Sequence, residues 1–189
     1  VHAGRSRLAS SLGLRVIDPA LSVYDDPFLE KGLSSTRWDA EGVPTRNLSL
    51  IREGILENFS YDLKTAYRYG KESTGSAVRT GHGGGPAIGN HNVVVDGPRK
   101  DIMEDEAIYI QDVVGAHTAN PLSGDFSVEL TNPFRISGGN YEKPVRKAMM
   151  SGNVFEMLGI TAGLGKDDRV IGSLVVPSIR LKKQHIIGS

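Results

Sequence analysis

Residues 80 to 92, TGHGGGPAIGNHN, place five glycines, a proline and two histidines within thirteen positions. Those residue types can build a metal site, a phosphate cradle, an oxyanion hole, or a loop that only has to bend. The HGGG run at 82–85 matches the oxyanion segment of some lipases, but that chemistry needs a nucleophile elbow, G-x-S-x-G. No serine of the chain has glycine two residues away on both sides. A dinucleotide fingerprint, G-x-G-x-x-G, fails because Gly83 and Gly85 are followed by Gly89, one residue too late. A phosphate loop needs Gly-Lys followed by Ser or Thr, and neither Lys71 nor Lys166 is so followed. His82 and His91 stand nine apart and His117 is distant, a spacing that zinc can use and that diagnoses nothing. No histidine precedes glutamate, so the chain contains neither HExxH nor HExxxH. The residues read best as a mobile connection whose histidines face solvent or line a groove. Replacing His82 and His91 by Ala is then expected to leave folding intact.

A second rich stretch is GAHTANPLSGDFS, residues 115 to 127. Asn-Pro followed by Ser-Gly-Asp predicts tight turns between strands, with Ser123 or Asp125 bonding backbone amides. Loops held by rigid strands often contact ligands. The expected substrate-binding residues are therefore His82, His91, His117, Asn120 and Asp125. Asp25-Asp26 and Glu104-Asp105-Glu106 read as solvated faces or helix starts, not catalytic pairs.

These loops need elements to hold them. Two apolar runs, 14–17 and 21–24, are broken by Asp18-Pro19. RNLSLIREGILENFSYD reads as a β-hairpin turning at Gly54. DLKTAYRYG reads as a short helix, capped by Asp62 and ended by Gly70. HNVVVDG is a buried-type strand, RKDIMEDEA a helix, and AIYIQDVV a strand. GDFSVEL, PFRIS and PVRKAMMS read as three more strands. NVFEMLGI reads as a helix capped by Asn153, and VIGSLVVPSIRLKK as one or two final strands. The sum is an α+β fold dominated by antiparallel β-sheet, barrel-like or layered, with two or three short helices.

At 189 residues there is room for one domain or two small ones. Lys plus Arg equals Asp plus Glu at 22 each, a balance that disfavours a dedicated nucleic-acid binder. With no cysteine, disulfides, thiolate metal sites and a cysteine nucleophile are excluded for this chain. No apolar run approaches the ~20 residues of a membrane span, and no signal peptide is visible, so a cytoplasmic location is expected. The chain opens on Val1 and reads as a fragment or processed piece.

Four ordered blocks resemble the TldD/PmbA family. They are GRSRLASSLGLRV with LSVYDDP, then DAEGVPTRNLSLIREGILENFSYDLKTAYRYGKESTG, then GAHTANPLSGDFS, then VIGSLVVPSIRL. The resemblance covers essentially the whole chain and implies the C-terminal domain of such a protein over 1–189. It also implies dimeric assemblies, with itself or a TldD-like chain, that process or degrade peptides. An older family name is modulator of DNA gyrase, so a protein-binding scaffold is an alternative role. In TldD-type chains the resemblance implies HExxxH and a C-terminal Cys as zinc ligands, with the Glu as general base. Such a zinc lowers the pKa of its water and polarises the scissile carbonyl. The HExxxH would lie upstream of Val1, and the ligand Cys falls at Ile171, which cannot bind zinc. The resemblance therefore implies a PmbA/TldE-like, non-catalytic chain, with no cofactor of its own and zinc in a TldD-like partner. The enzyme-class alternative is a self-sufficient zinc peptidase in which His117 or a loop histidine replaces the Cys. No direct nucleic-acid and no membrane partner is expected.

Overall fold

The computed structural model describes residues 6–79, 81 and 83–188. In chain order the strands begin with β1 (Ser22–Asp25), β2 (Leu48–Arg52) and β3 (Ile55–Leu56). Helix α1 (Leu63–Tyr69) precedes β4 (Ala77–Val78), β5 (Ala87–Ile88) and β6 (Val93–Asp96). Next come β7 (Ala107–Tyr109), β8 (Asp112–Val114), β9 (Asp125–Thr131), β10 (Phe134–Ser137), β11 (Asn140–Pro144) and β12 (Met149–Asn153). Helix α2 (Val154–Leu158), β13 (Thr161–Ile171), β14 (Leu174–Leu181) and β15 (His185–Ile187) complete the described chain.

The strands form layered sheets and not a closed barrel. A six-stranded sheet runs β13-β14-β6-β1-β2-β3, a four-stranded sheet β15-β12-β9-β8, a three-stranded sheet β11-β10-β7, and β4 pairs with β5. Among the described strands pairing is antiparallel except where β14 meets β6, with Leu174 beside Val93 and Val175 beside Val94. That parallel contact brings the last long hairpin onto the sheet of the N-terminal half. Ile17, Leu21 and Leu164 form the buried core under it. Val128, Leu130, Ala148 and Met150 form a second core on the four-stranded sheet. Among the described residues no helix is long and apolar enough to cross a membrane.

Local chemistry explains several elements. Asp62 caps α1 by accepting from the Thr65 amide at 2.7 Å and the Thr65 hydroxyl at 2.6 Å, satisfying a donor that the first helical turn leaves open. Gly70 closes the helix in the left-handed region at φ 60°. Asn153 caps α2 in the same way, accepting from the amides of Phe155 and Glu156. The DAEGVPT segment ties itself together. Asp39 is buried and accepts from the amides of Glu41, Val43 and Ala77 at 2.9–3.1 Å. Glu41 accepts from the Leu63 amide at 2.8 Å. Gly75 sits at φ +68°, and a Cβ there would lie 2.5 Å from the Pro44 carbonyl oxygen.

Several sequence expectations are corrected. Residues 99–107 are not helical. Their carbonyls are taken from outside, since the Arg180 guanidinium donates to the carbonyl oxygens of Ile102, Asp105 and Glu106 at 2.7–3.2 Å. AIYIQDVV is two strands in two different sheets, because β7 pairs β10 while β8 pairs β9. PVRKAMMS is split between two strands, Pro144 ending β11 and Met149 opening β12, with Ala148 buried between them. The polar strand β11 and the early half of β13 carry too little apolar alternation to be read as strands from sequence.

Candidate functional site

Of the expected contact residues, Asn120 and Asp125 share one turn, whereas His91 is held against Asp25 of β1. His82 lies outside the described residues. His91 ends the glycine loop in the interior, 3% exposed, and so does not face solvent. Its amide donates to Asp25 at 2.7 Å, and its Nδ1 lies 3.1 Å from the second carboxylate oxygen. A carboxylate only accepts, so the ring donates from Nδ1. Its Nε2 has no hydrogen-bond partner among the described residues. Asp25 is 1% exposed, which corrects the reading of Asp25-Asp26 as a solvated run. The pair pins the loop exit to β1, and its burial reverses the expectation that His91 can be removed without cost. Within the loop, Gly89 has a structural reason, because a Cβ there would collide with the Val78 side chain across the β4–β5 pair.

His117 is exposed in a single 3-10 turn, Ala116–Thr118. Asn120 folds the next turn, accepting from the amides of Leu122 and Ser123 at 2.9 and 3.1 Å. Asp125 accepts from Asn153 Nδ2 at 2.8 Å and from the Ser123 hydroxyl at 2.7 Å. Those two hydrogen bonds hold its carboxyl below the usual carboxylate range. The turn is thereby fastened to the start of α2, whose cap Asn153 also donates to the Ser123 carbonyl at 2.8 Å. Among the described residues there is no group of three or more His, Asp or Glu placed to hold a metal ion.

A broad concavity lies elsewhere. A cleft of about 1120 Å³ opens where β7, β12, β15 and the β13–β14 hairpin come together from three sheets. Its walls are mostly aliphatic, including Ile108, Ile110, Ile136, Met150, Val176 and Ile179. Arg169, Arg180, Lys182 and Lys183 border it, and Ile171 stands in it at the tip of β13, 62% exposed. Strand β7 is an edge strand on this cleft, paired among the described residues with β10 alone. Arg180 holds the approach to β7 in place through its three carbonyl contacts.

A smaller recess of about 410 Å³ adjoins the cleft and shares Ile102, Met103, Tyr109, Arg169 and Ser178 with it. Tyr109 and Tyr141 meet edge to face at 5.3 Å. Arg169 donates to the Tyr109 hydroxyl at 3.0 Å, and this contact raises the guanidinium above its ordinary value. Burial pushes the Tyr141 hydroxyl up, with the neighbouring Tyr109 adding to it. Burial alone would raise Asp167, but hydrogen bonds from the Ser178 hydroxyl and amide bring its carboxyl below the usual range. The arrangement can bind an extended, partly apolar chain along an edge strand and present positive charge beside it. Sequence reasoning marked strands that wall this site, but not the site. No local motif marks a cleft that is assembled from three sheets.

Comparison with known proteins agrees with this architecture. Residues 1–188 match the family described as PmbA/TldA metallopeptidase C-terminal domain. An uncharacterized protein of Methanocaldococcus jannaschii is 35% identical over 98% of this chain and 44% of its own length. Metalloprotease PmbA of Escherichia coli O157:H7 is 28% identical over 100% of this chain and 40% of its own. Among solved structures, TldE from Thermococcus kodakarensis superposes with a TM-score of 0.89 at 32% identity, covering 99% of this chain and 44% of that one. A Thermotoga maritima protein named for modulation of a DNA gyrase gives 0.86 at 32% identity, over 98% and 43%. The chain thus spans less than half the length of the relatives it matches.

Proposed function

The chain belongs to the PmbA/TldA metallopeptidase C-terminal domain family, and from that premise we propose that it is the TldE-like, non-catalytic half of a peptide-processing assembly. Its partner is a TldD-like chain that carries the zinc. The observation that carries this reading is Ile171. The family resemblance puts a zinc-binding Cys at this position, and Ile171 stands in the apolar cleft. A branched alkyl group has no lone pair to give a metal. When bound in the partner, zinc would supply an activated water and a polarised carbonyl.

This chain's own residues do something different. They form one wall for an extended peptide, with β7 as an edge that backbone groups can join and Ile171, Ile108 and Val176 as apolar contacts. Arg180 keeps that wall in register. The exposed His117 is free to touch a peptide outside the cleft, whereas Asn120 and Asp125 act through the shape of their turn.

The reading is tested with the full-length protein and a TldD-like chain from the same source. Zinc content and cleavage of unfolded peptides are measured for each alone and for the mixture. The expected result is no stoichiometric zinc in this protein alone, and chelator-sensitive cleavage that rises when the two are combined. About one zinc per chain in this protein alone, the stoichiometry of a single catalytic site, together with cleavage lost to a chelator, would make it a peptidase in its own right.

A further inference from the structure

We propose that the cleft selects peptides carrying carboxylates, a preference that rests on the peptide-binding reading above and adds a substrate class to it. The cleft and its adjoining recess are bordered by Lys100, Lys166, Arg169, Arg180, Lys182 and Lys183. Against these six cations stand three carboxylates, Asp101, Glu106 and Asp167. The whole chain balances 22 basic with 22 acidic residues. The positive excess is therefore local to this concavity.

The two signs also differ in how they are occupied. Glu106 pairs with Arg135 at 3.1 Å. Asp167 accepts from Ser178 at 2.6 Å and lies 3.6 Å from Arg169. Asp101 accepts from the Met103 amide at 3.0 Å. The ammonium groups of Lys100, Lys166, Lys182 and Lys183 have no hydrogen-bond or ion-pair partner among the described residues. Charge of one sign, without internal partners, beside low-dielectric walls focuses attraction for the opposite sign. The aliphatic floor decides the class of ligand. Leu-, Ile- and Val-sized side chains fit such walls, whereas a phosphate backbone does not. The occupant is an extended segment whose apolar side chains enter the cleft and whose acidic side chains, or terminal carboxylate, reach the lysine rim.

The test uses the full-length protein and fluorescein-labelled peptides that alternate leucine with glutamate, glutamine or lysine. Binding is followed by anisotropy at low and high salt. The glutamate peptide is expected to bind about tenfold more tightly than the glutamine peptide at low salt, with the gap closing as salt screens it. Lys182→Glu/Lys183→Glu changes two exposed side chains and is expected to erase that gap. Equal affinity for all three peptides, or a gap that survives the double reversal, overturns the inference and leaves the peptide reading standing. Displacement of the glutamate peptide by an oligothymidylate at equal concentration would assign the rim to nucleic acid and overturn it. Failure of every peptide to bind overturns both the inference and the peptide reading.

Discussion

Two of the blocks that resemble the family do different things in the fold. Residues 39–75 are rich in residue types capable of chemistry: Asp39, Glu41, Thr45, Asp62, Ser73 and Thr74. All but Thr45, which donates to the Thr36 carbonyl, are engaged in backbone hydrogen bonds within the block. Residues 170–181 are mostly aliphatic and contain no acid, yet seven of the twelve, Ile171 and residues 176–181, line the cleft. A side chain that satisfies buried amides is held by that duty, because leaving a buried donor unpaired costs about 1–3 kcal/mol. The cleft is lined instead by residues whose side chains are mostly free of that duty. Reactive residue types in a dense motif are thus a poor guide to where the concave surface of this fold lies.

The contrast is broken most severely at Gly75. Gly75→Ala places a side chain in the left-handed region and 2.5 Å from a backbone oxygen. It is expected to cost about 3 kcal/mol or more, read as a shift in the urea midpoint. A cost below about 1 kcal/mol would mean that the 39–75 block is far looser than its hydrogen bonds imply.

His91 comes next. His91→Ala removes a buried ring and its bond to Asp25, an expected loss of about 2–3 kcal/mol with peptide binding unchanged in the folded fraction. Unchanged stability would return His91 to the class of dispensable loop residues.

A smaller effect follows from Asp125. Its folded carboxyl is lowered, so its contribution is present above the unfolded value of about 3.9 and is lost as pH falls through the still lower folded value. Asp125→Asn should therefore be less stable than the parent at neutral pH. The two should converge in acid, in denaturant titrations run across that range. A difference that persists at the acid end would point to altered turn geometry and not to charge.

The smallest effect on stability, and the sharpest for the comparison, is Ile171→Ser. With 62% of its surface exposed, stability should move by less than about 0.5 kcal/mol, while affinity for leucine-containing peptides falls. A large loss of stability would make the hairpin tip part of the core and remove the distinction between the two blocks.

Much of the local fold was legible in the residues. Asp62 and Gly70 mark the ends of α1, Asn153 the start of α2, and Gly54 the turn of the β2–β3 hairpin, because caps and turns depend on groups only a few positions apart. The helix expected at 99–107 was not legible as a loop. Its competing hydrogen bonds come from Arg180, more than seventy positions away. His91 looked like one more loop histidine, since nothing near it in sequence announces Asp25, sixty-six positions earlier. The site itself was least legible. Strands β7, β12, β14 and β15 belong to three sheets.

By itself the sequence determined the α+β class, the principal turns and caps, and the absence of thiol chemistry, all of which follow from residue type and short spacing. The tertiary structure alone decided that β14 lies parallel to β6, that Asp25 and His91 meet in the interior, and that six cations border one cleft. Those are contacts between distant segments. They are fixed by how sheets bury their apolar faces against one another, and no short stretch of the chain encodes that result on its own.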